Sequence, residues 1–324
     1  MLAATVTSFH PDDPLRGLTV GERPEPALTD GDWTVVTVRA TALNHHDLWS
    51  LKGVGLREDQ LPMVLGTDAA GVDASGNAVI VHAVIGDPAR GGGDETLDPR
   101  RSLLSEVHDG TLAERVAVPR RNVVPKPAGL TFEQAACLPT AWLTAYRMLT
   151  TRGQLIAGET VLVQGAGGGV SAALIPLATA MGARVWVTSR STSKRAQALA
   201  LGADQAFDTG ARLPDRVDVV MESVGAATWS HSLKVLRPGG RVVVCGATSG
   251  PNPPSDLARI FFLQLSVIGS TMGTRDELER LLGFCADNSL SPVVDSTFPL
   301  TDTDQALARL SSGEGFGKVV VTSS

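Results

Sequence analysis

The chain has 324 residues, enough for two domains that each bury a core without disulfides or metals. Its 34 acidic residues outnumber 28 basic ones, for a net charge of −6, which argues against a nucleic-acid partner because phosphate contacts need clustered Lys and Arg. Cys137, Cys245 and Cys285 are far apart and odd in number, so they suggest neither a disulfide framework nor a C-x-x-C metal knuckle. The first third is punctuated by Pro and Gly and carries short alternating stretches at Leu2 to Phe9, Thr34 to Thr41, Asn77 to Val84 and Leu112 to Val118, as in a compact β barrel with long loops. From Thr131 the texture changes. Phe132 to Thr150 has helical spacing, and six strands are expected at Thr160–Gln164, Arg184–Thr188, Gln205–Phe207, Val217–Glu222, Arg241–Cys245 and Ser266–Ser270. The segments between most of them are long enough to cross over, as parallel pairing requires. A tail follows, with a helix at Arg275–Asn288, a strand near Val293–Phe298, a helix around Asp302–Leu310 and a strand at Lys318–Thr322, and it is assigned to the first domain.

The strongest chemical signal is the strand Thr160–Gln164 running into Gly165-Ala-Gly167-Gly168-Gly169-Val170 and straight into a helix of small residues. Glycines there permit positive φ and let backbone amides approach a pyrophosphate, and the helix start adds partial positive charge. A tight turn without a ligand is the plainer alternative. An acid about 20 residues on would select NAD, but this chain has Ser189-Arg190-Ser-Thr-Ser193-Lys194-Arg195, which suits the 2′-phosphate of NADPH. The competing reading is a solvated helix start capped by Ser193. Turns carrying Val224, Gly246-Ala247-Thr248 and Ser270-Thr271-Met272 close later strands and are candidate walls for the nicotinamide half.

Several segments in order resemble the medium-chain dehydrogenase/reductase superfamily: Asn44-His45-His46-Asp47-Leu48-Trp49, Gly66-Thr67-Asp68-Ala-Ala-Gly71, Leu138-Pro-Thr140, the glycine turn, Arg237-Pro-Gly-Gly240 and Phe316-Gly-Lys318. The resemblance implies an α/β protein in which a Rossmann doubly wound parallel sheet (129–271) is inserted into a GroES-like, mainly β catalytic domain (1–128 and 272–324). It also implies catalysis in the intervening cleft. Zinc-dependent relatives hold an ion with Cys, His and Cys, and at those positions this chain has Asn44, Thr67 with Asp68, and Thr140. None supplies the thiolate or imidazole set that such an ion needs, so no metal is expected. The four-cysteine structural lobe is replaced by Gly91 to Leu104. By the same resemblance His45 and Lys318 contact the cofactor, and His46 stands at a proton-relay position; one or both histidines satisfying backbone groups in a loop is the alternative.

Without a metal to polarise a ketone, activated acceptors are favoured, namely a quinone or an α,β-unsaturated carbonyl taking hydride at a conjugated carbon. Asn44, His46, Thr67 and Thr140 are the candidates for orienting the acceptor, with Trp49 as an apolar wall, and Tyr146 is read as structural. Acceptor specificity is assigned to the loops Lys52–Leu61 and Pro88–His108. A carbonyl reductase of alcohol dehydrogenase type, a non-catalytic NADPH-binding module and, more remotely, a methyltransferase remain as alternatives. Ile260 to Leu265 suggests a homodimer contact, with buried core as the other explanation. With no leader-like start and no apolar segment of membrane-spanning length, a cytoplasmic protein without a membrane partner is expected.

Overall fold

The computed structural model describes residues 1–28 and 31–323. The chain packs into two units, Met1–Ala141 with Gly273–Ser324, and Trp142–Met272. The first division falls later than the expected 128/129 boundary, because the Phe132–Ala136 helix packs on the strands Trp33–Ala42, Ala69–Asp73 and Lys318–Thr322.

The first unit is mainly β. Its larger sheet runs Val123–Pro125, Ala78–Val81, Ala69–Asp73, Trp33–Ala42, Lys318–Thr322, Val294–Pro299, with Arg115–Pro119 also pairing to Trp33–Ala42. A smaller sheet sets Leu2–Val6 between Leu18–Glu22 and Met63–Val64. The tail is thus knitted into the centre of the larger sheet, where Val320 pairs antiparallel with Ala42 and Val321 with Thr41. Alternation along the central strand buries Val36 and Val38 against Val79, Val81, Leu104, Val116 and Val118. A second cluster gathers Leu43, Leu48, Leu51, Leu65, Leu112, Leu307 and Val321.

One helix in this unit was not foreseen, since His45–Leu51 reads in sequence as a strand end or turn. Asn44 is extended at φ −128°, and the Asp47 carboxylate, three residues on, accepts the Asn44 amide at 2.8 Å and the Gly66 amide at 3.1 Å. A reciprocal start of this kind supplies a partner that the first turn otherwise lacks.

The stretch Gly91 to Leu104 is held by a buried carboxylate. Asp98 accepts the amides of Asp87 at 2.8 Å and Arg100 at 2.9 Å and the Arg90 guanidinium at 2.8 Å. These donors, Arg90 first, hold its carboxyl far below the usual range.

The second unit is a six-stranded parallel sheet in the order Gln205–Phe207, Arg184–Thr188, Thr160–Val163, Val217–Glu222, Leu236–Val244, Ser266–Gly269. Helices Gly169–Ala180, Thr192–Ala200 and Ala226–Val235 lie in the crossovers. The strand order reverses between Thr160–Val163 and Val217–Glu222, which is where open α/β sheets open a crevice at their carboxyl ends. The fifth strand begins at Leu236 rather than Arg241, so the Arg237-Pro-Gly-Gly240 turn belongs to it. No helix among the described residues is long and apolar enough to cross a membrane.

Candidate active site and nucleotide site

In the second unit, Gly165 has φ +73° and Gly167 φ +123°. A Cβ on Gly165 would come within 2.6 Å of Val224 Cγ2, so the loops after the first and fourth strands touch there with no room for a side chain. Not all of the amides in this turn face outward. Gly165 N lies 3.4 Å from Thr188 Oγ1, Ala166 N donates to Thr188 O at 2.8 Å and Gly167 N to Ser171 Oγ at 3.1 Å. Ser171 in turn donates to Gly168 O at 2.9 Å and locks the turn. The donors left free for an anion are those of Gly168, Gly169 and Val170, at the head of a twelve-residue helix.

The surrounding turns share one buried acid. Glu222 accepts Val224 N at 2.7 Å, Gly225 N at 3.0 Å, Thr228 Oγ1 at 2.9 Å and Ser232 Oγ at 2.6 Å, which fixes the turn that carries Val224. Gly246 and Ala247 are half-buried beside that turn, and the exposed Thr248 donates its amide toward Ser223 O at 3.4 Å. Ser270 donates its amide to Val244 O at 2.8 Å, Thr271 is exposed, and Met272 is buried with φ +49°.

At the end of the second strand the helix cap is Ser191, which accepts Lys194 N at 3.3 Å, rather than Ser193. Ser189 is buried, Arg190 is exposed, and the Lys194 stem crosses Gly167, where a Cβ would meet its Cδ at 2.6 Å. Arg195 is engaged by Asp208 and by Ser189 O at 2.7 Å.

In the first unit, the structure brings together Asn44, Thr67 and Thr140. Asn44 Nδ2 lies 3.1 Å from Thr67 Oγ1 and 2.9 Å from Asp68 Oδ2, and the Thr67 and Thr140 hydroxyls are 3.2 Å apart. The sheet register explains a fourth member. Continued two residues past the Val320–Ala42 pair, it sets Lys318 level with Asn44. The Lys318 ammonium donates to Leu43 O and Asn44 Oδ1, each at 2.6 Å, and to Asp68 Oδ2 at 3.2 Å. Lys318 is only 3% exposed and Asp68 0%, so the pair is desolvated.

His46 is not part of this cluster. Its Nε2 meets Glu106 Oε1 at 3.1 Å. Desolvation of the ring opposes its charged form, but the Glu106 hydrogen bond and the charges of Asp47 and Glu106 outweigh it, so its pKa is raised. His45 is exposed beside Trp49, with ring centroids 6.4 Å apart; ring desolvation and the positive charges of Lys318 and Lys52 lower its pKa. Asp47 is a capping residue, and the Cys137 thiol, pushed up to about 12 by burial, is no nucleophile. Sequence reasoning missed Glu106 and the structural task of Glu222, and nothing in the residue order pairs 106 with 46.

Residues 30–128 match the family described as "Alcohol dehydrogenase GroES-like domain", and residues 169–287 match the one described as "Zinc-binding dehydrogenase". The acryloyl-coenzyme A reductase of Metallosphaera sedula is 31% identical over 327 residues, covering 95% of this chain and 97% of the relative. The chain belongs to the medium-chain dehydrogenase/reductase superfamily. Among solved structures, an NAD-dependent alcohol dehydrogenase aligns with TM-score 0.90 and 33% identity, covering 99% of each chain. The 2-octenoyl-CoA carboxylase reductase CinF, in complex with NADP and 2-octenoyl-CoA, aligns with TM-score 0.91 and 26% identity, covering 99% of this chain and 87% of that one.

A zinc ion is implied by one of those family descriptions, but this member of the superfamily does not suit it. The cluster offers an amide, two hydroxyls and one carboxylate, and an ammonium already sits among them. Such a donor set lacks the soft thiolate and imidazole ligands that zinc selects, and a fixed cation there repels a second one.

Proposed function

We propose that the protein is an NADPH-dependent oxidoreductase that delivers hydride, without zinc, to an α,β-unsaturated carbonyl. The observation that carries this reading is the Lys318 ammonium seated between Asn44 and Asp68, which fills the metal position with a cation of the chain's own. Bound NADPH supplies the hydride. Gly168, Gly169 and Val170 amides hold its diphosphate, and Ser189, Arg190 and Lys194 take its 2′-phosphate, in keeping with the NADP complex of the CinF relative.

The acceptor oxygen is held by the Thr67–Thr140 hydroxyl pair, with Asn44 Nδ2 donating to Thr67 Oγ1 behind it. When the conjugated carbon accepts hydride, the electron pair moves to that oxygen, and neutral donors stabilise the resulting oxyanion. Lys318 fixes Asn44 Oδ1, so the amide presents Nδ2 to the site in one orientation. His46, whose pKa the Glu106 hydrogen bond raises against the desolvation of its ring, is the proton source on the same helix start.

A conjugated acceptor is favoured over a quinone by the relatives that reduce enoyl thioesters. The structural neighbour described as an alcohol dehydrogenase keeps a simple carbonyl substrate as the second reading. The same proposal includes a homodimer. Of the stretch Ile260 to Leu265, Leu265 is buried core and Ile260 and Leu263 pack on it, whereas Phe261 and Phe262, 71% and 79% exposed, stand just before the edge strand Ser266–Gly269 and give a second copy an apolar face to cover.

The decisive experiment is a panel of enals, enones, enoyl thioesters, quinones, aldehydes and alcohols with NADPH and NADH, alongside elemental analysis. Turnover confined to conjugated acceptors, with NADPH preferred about tenfold or more, is expected. Equal affinity for the two nucleotides, or one zinc per chain, refutes the reading.

A further inference from the structure

An acidic chain does not gather guanidinium groups without a reason, yet four of them ring one cavity in the first unit. The cavity holds about 350 Å³ and is walled by Arg90, Arg100, Arg101 and Arg121 against the single lining carboxylate of Asp87. Two of the arginines are fixed in place. Arg90 is clamped on Asp98 and Asp87, and Arg121 donates to Gly86 O at 2.5 Å and stands 3.8 Å from Glu95. Desolvation opposes ionisation of Glu95, but His82 at 3.5 Å and the Arg275 amide at 2.7 Å hold its pKa down at about 2, so a carboxylate backs Arg121.

Arg100 and Arg101 are different. Both are exposed, and neither side chain engages another group among the described residues. The Asp98 carboxylate accepts the Arg100 amide at 2.9 Å, and Asp98 O accepts the Arg101 amide at 3.0 Å, so the backbone that presents them is pinned while their guanidinium groups stay free. Planar, permanently charged forks on a pre-set loop are suited to a phosphate, which they grip in pairs. The volume lies within the range of small-molecule sites, and the rest of the lining sets polar Ser102 and Asn122 beside Ile85, Val107, Pro119 and the His108 ring, which itself packs on Trp33 at 4.8 Å. The ligand that fits is therefore a phosphate ester carrying a flat organic group.

The cavity also connects to the acceptor residues through the chain. Glu106 holds His46, and the next two residues, Val107 and His108, line the cavity at the end of a turn that Ser105 closes by donating its amide to His108 O at 2.8 Å. We propose that this cavity anchors the phosphorylated handle of the acceptor, so that the substrate is an enoyl thioester of coenzyme A type rather than a free enone. This rests on the conjugated-carbonyl reading above and narrows it.

Two measurements test it with Arg100→Ala combined with Arg101→Ala. Arg16→Ala with Arg39→Ala serves as a control that removes the same charge from exposed positions elsewhere in the unit. The first is calorimetric titration of the NADPH-saturated protein with adenosine 3′,5′-bisphosphate, which needs no turnover. Binding is expected in the wild type and control and about tenfold or more weaker in the test variant; equal binding in all three, or none in the wild type, overturns the site. The second compares kcat/KM for crotonyl-CoA with that for a phosphate-free enal. The ratio is expected to drop about tenfold or more in the test variant, through KM, and to hold in the control. A ratio that does not move while the bisphosphate still loses affinity overturns the assignment to the substrate and leaves a free phosphate ester as the occupant. If no conjugated acceptor is turned over at all, the functional reading fails while the calorimetry still decides the site.

Discussion

The glycine turn of the second unit and the Lys318 cluster of the first solve opposite electrostatic problems with opposite materials. The turn binds charge by omission. Gly165 and Gly167 lack the Cβ atoms that would strike Val224 and Lys194, and the free amides of Gly168 to Val170 face an anion that arrives from outside. The cluster carries its own ions, Lys318 and Asp68, buried together before any ligand comes. Backbone dipoles tolerate the departure of their guest because water replaces it. A desolvated side-chain pair tolerates no such loss, so its members are far more sensitive to replacement.

The largest effect is expected from breaking that pair. Lys318→Met leaves the Asp68 carboxylate buried without its cation and costs about 3 to 5 kcal/mol by denaturant unfolding, whereas Lys318→Met with Asp68→Asn recovers a substantial part. A single variant as stable as the wild type removes the distinction drawn here. Next comes Gly165→Val. A side chain at φ +73° and 2.6 Å from Val224 costs roughly 1 to 3 kcal/mol and abolishes measurable NADPH binding, read by fluorescence titration.

Smaller and conditional is the His46–Glu106 pair. Its raised histidine pKa means that its contribution is complete below the unfolded value of about 6.5 and fades as pH climbs through the higher folded value. His46→Gln is expected to lower stability by about 1 kcal/mol below pH 6.5 and to flatten the alkaline limb of a stability-against-pH curve. An unaltered curve rules out the pairing. The mildest expectation concerns the exposed aromatics. Phe261→Asp with Phe262→Asp turns a dimer into a folded monomer in sedimentation, with little change in unfolding of the unit itself.

These regions also differ in how much of them the residue order reveals. The parallel sheet and the glycine turn are local chemistry: apolar runs of four to six residues, each followed by a turn, announce themselves within a short window. The Lys318 cluster is assembled from four separate segments. Alignment of motifs marks Asn44, Thr67 and Thr140 and gives Lys318 as a cofactor contact, but its place beside Asn44 emerges only from the antiparallel register of the strand Lys318–Thr322. Glu106 is the clearer failure, since a carboxylate sixty positions from His46 has no periodicity to betray it. The His45–Leu51 helix was missed because its start depends on Asp47 reaching the Gly66 amide, a tertiary bond, as well as on its own cap. Of the arginine pocket only Arg100, Arg101 and Ser102 lie in the stretch Gly91 to Leu104 read as a replacement lobe, and the buried Asp98 is what draws that stretch against Asp87 and Arg90.

The two units also differ in when they can be completed during synthesis. The nucleotide unit is one unbroken stretch, Trp142–Met272, and can close on itself once its last strand has cleared the ribosome. The acceptor unit waits for residue 318, because the ammonium that neutralises Asp68 sits on the final strand. Until then Asn44, Thr67 and Asp68 lack their counter-charge and the larger sheet lacks an inner strand. A truncated product missing the last ten residues would therefore keep its nucleotide unit and forfeit the other half of the enzyme.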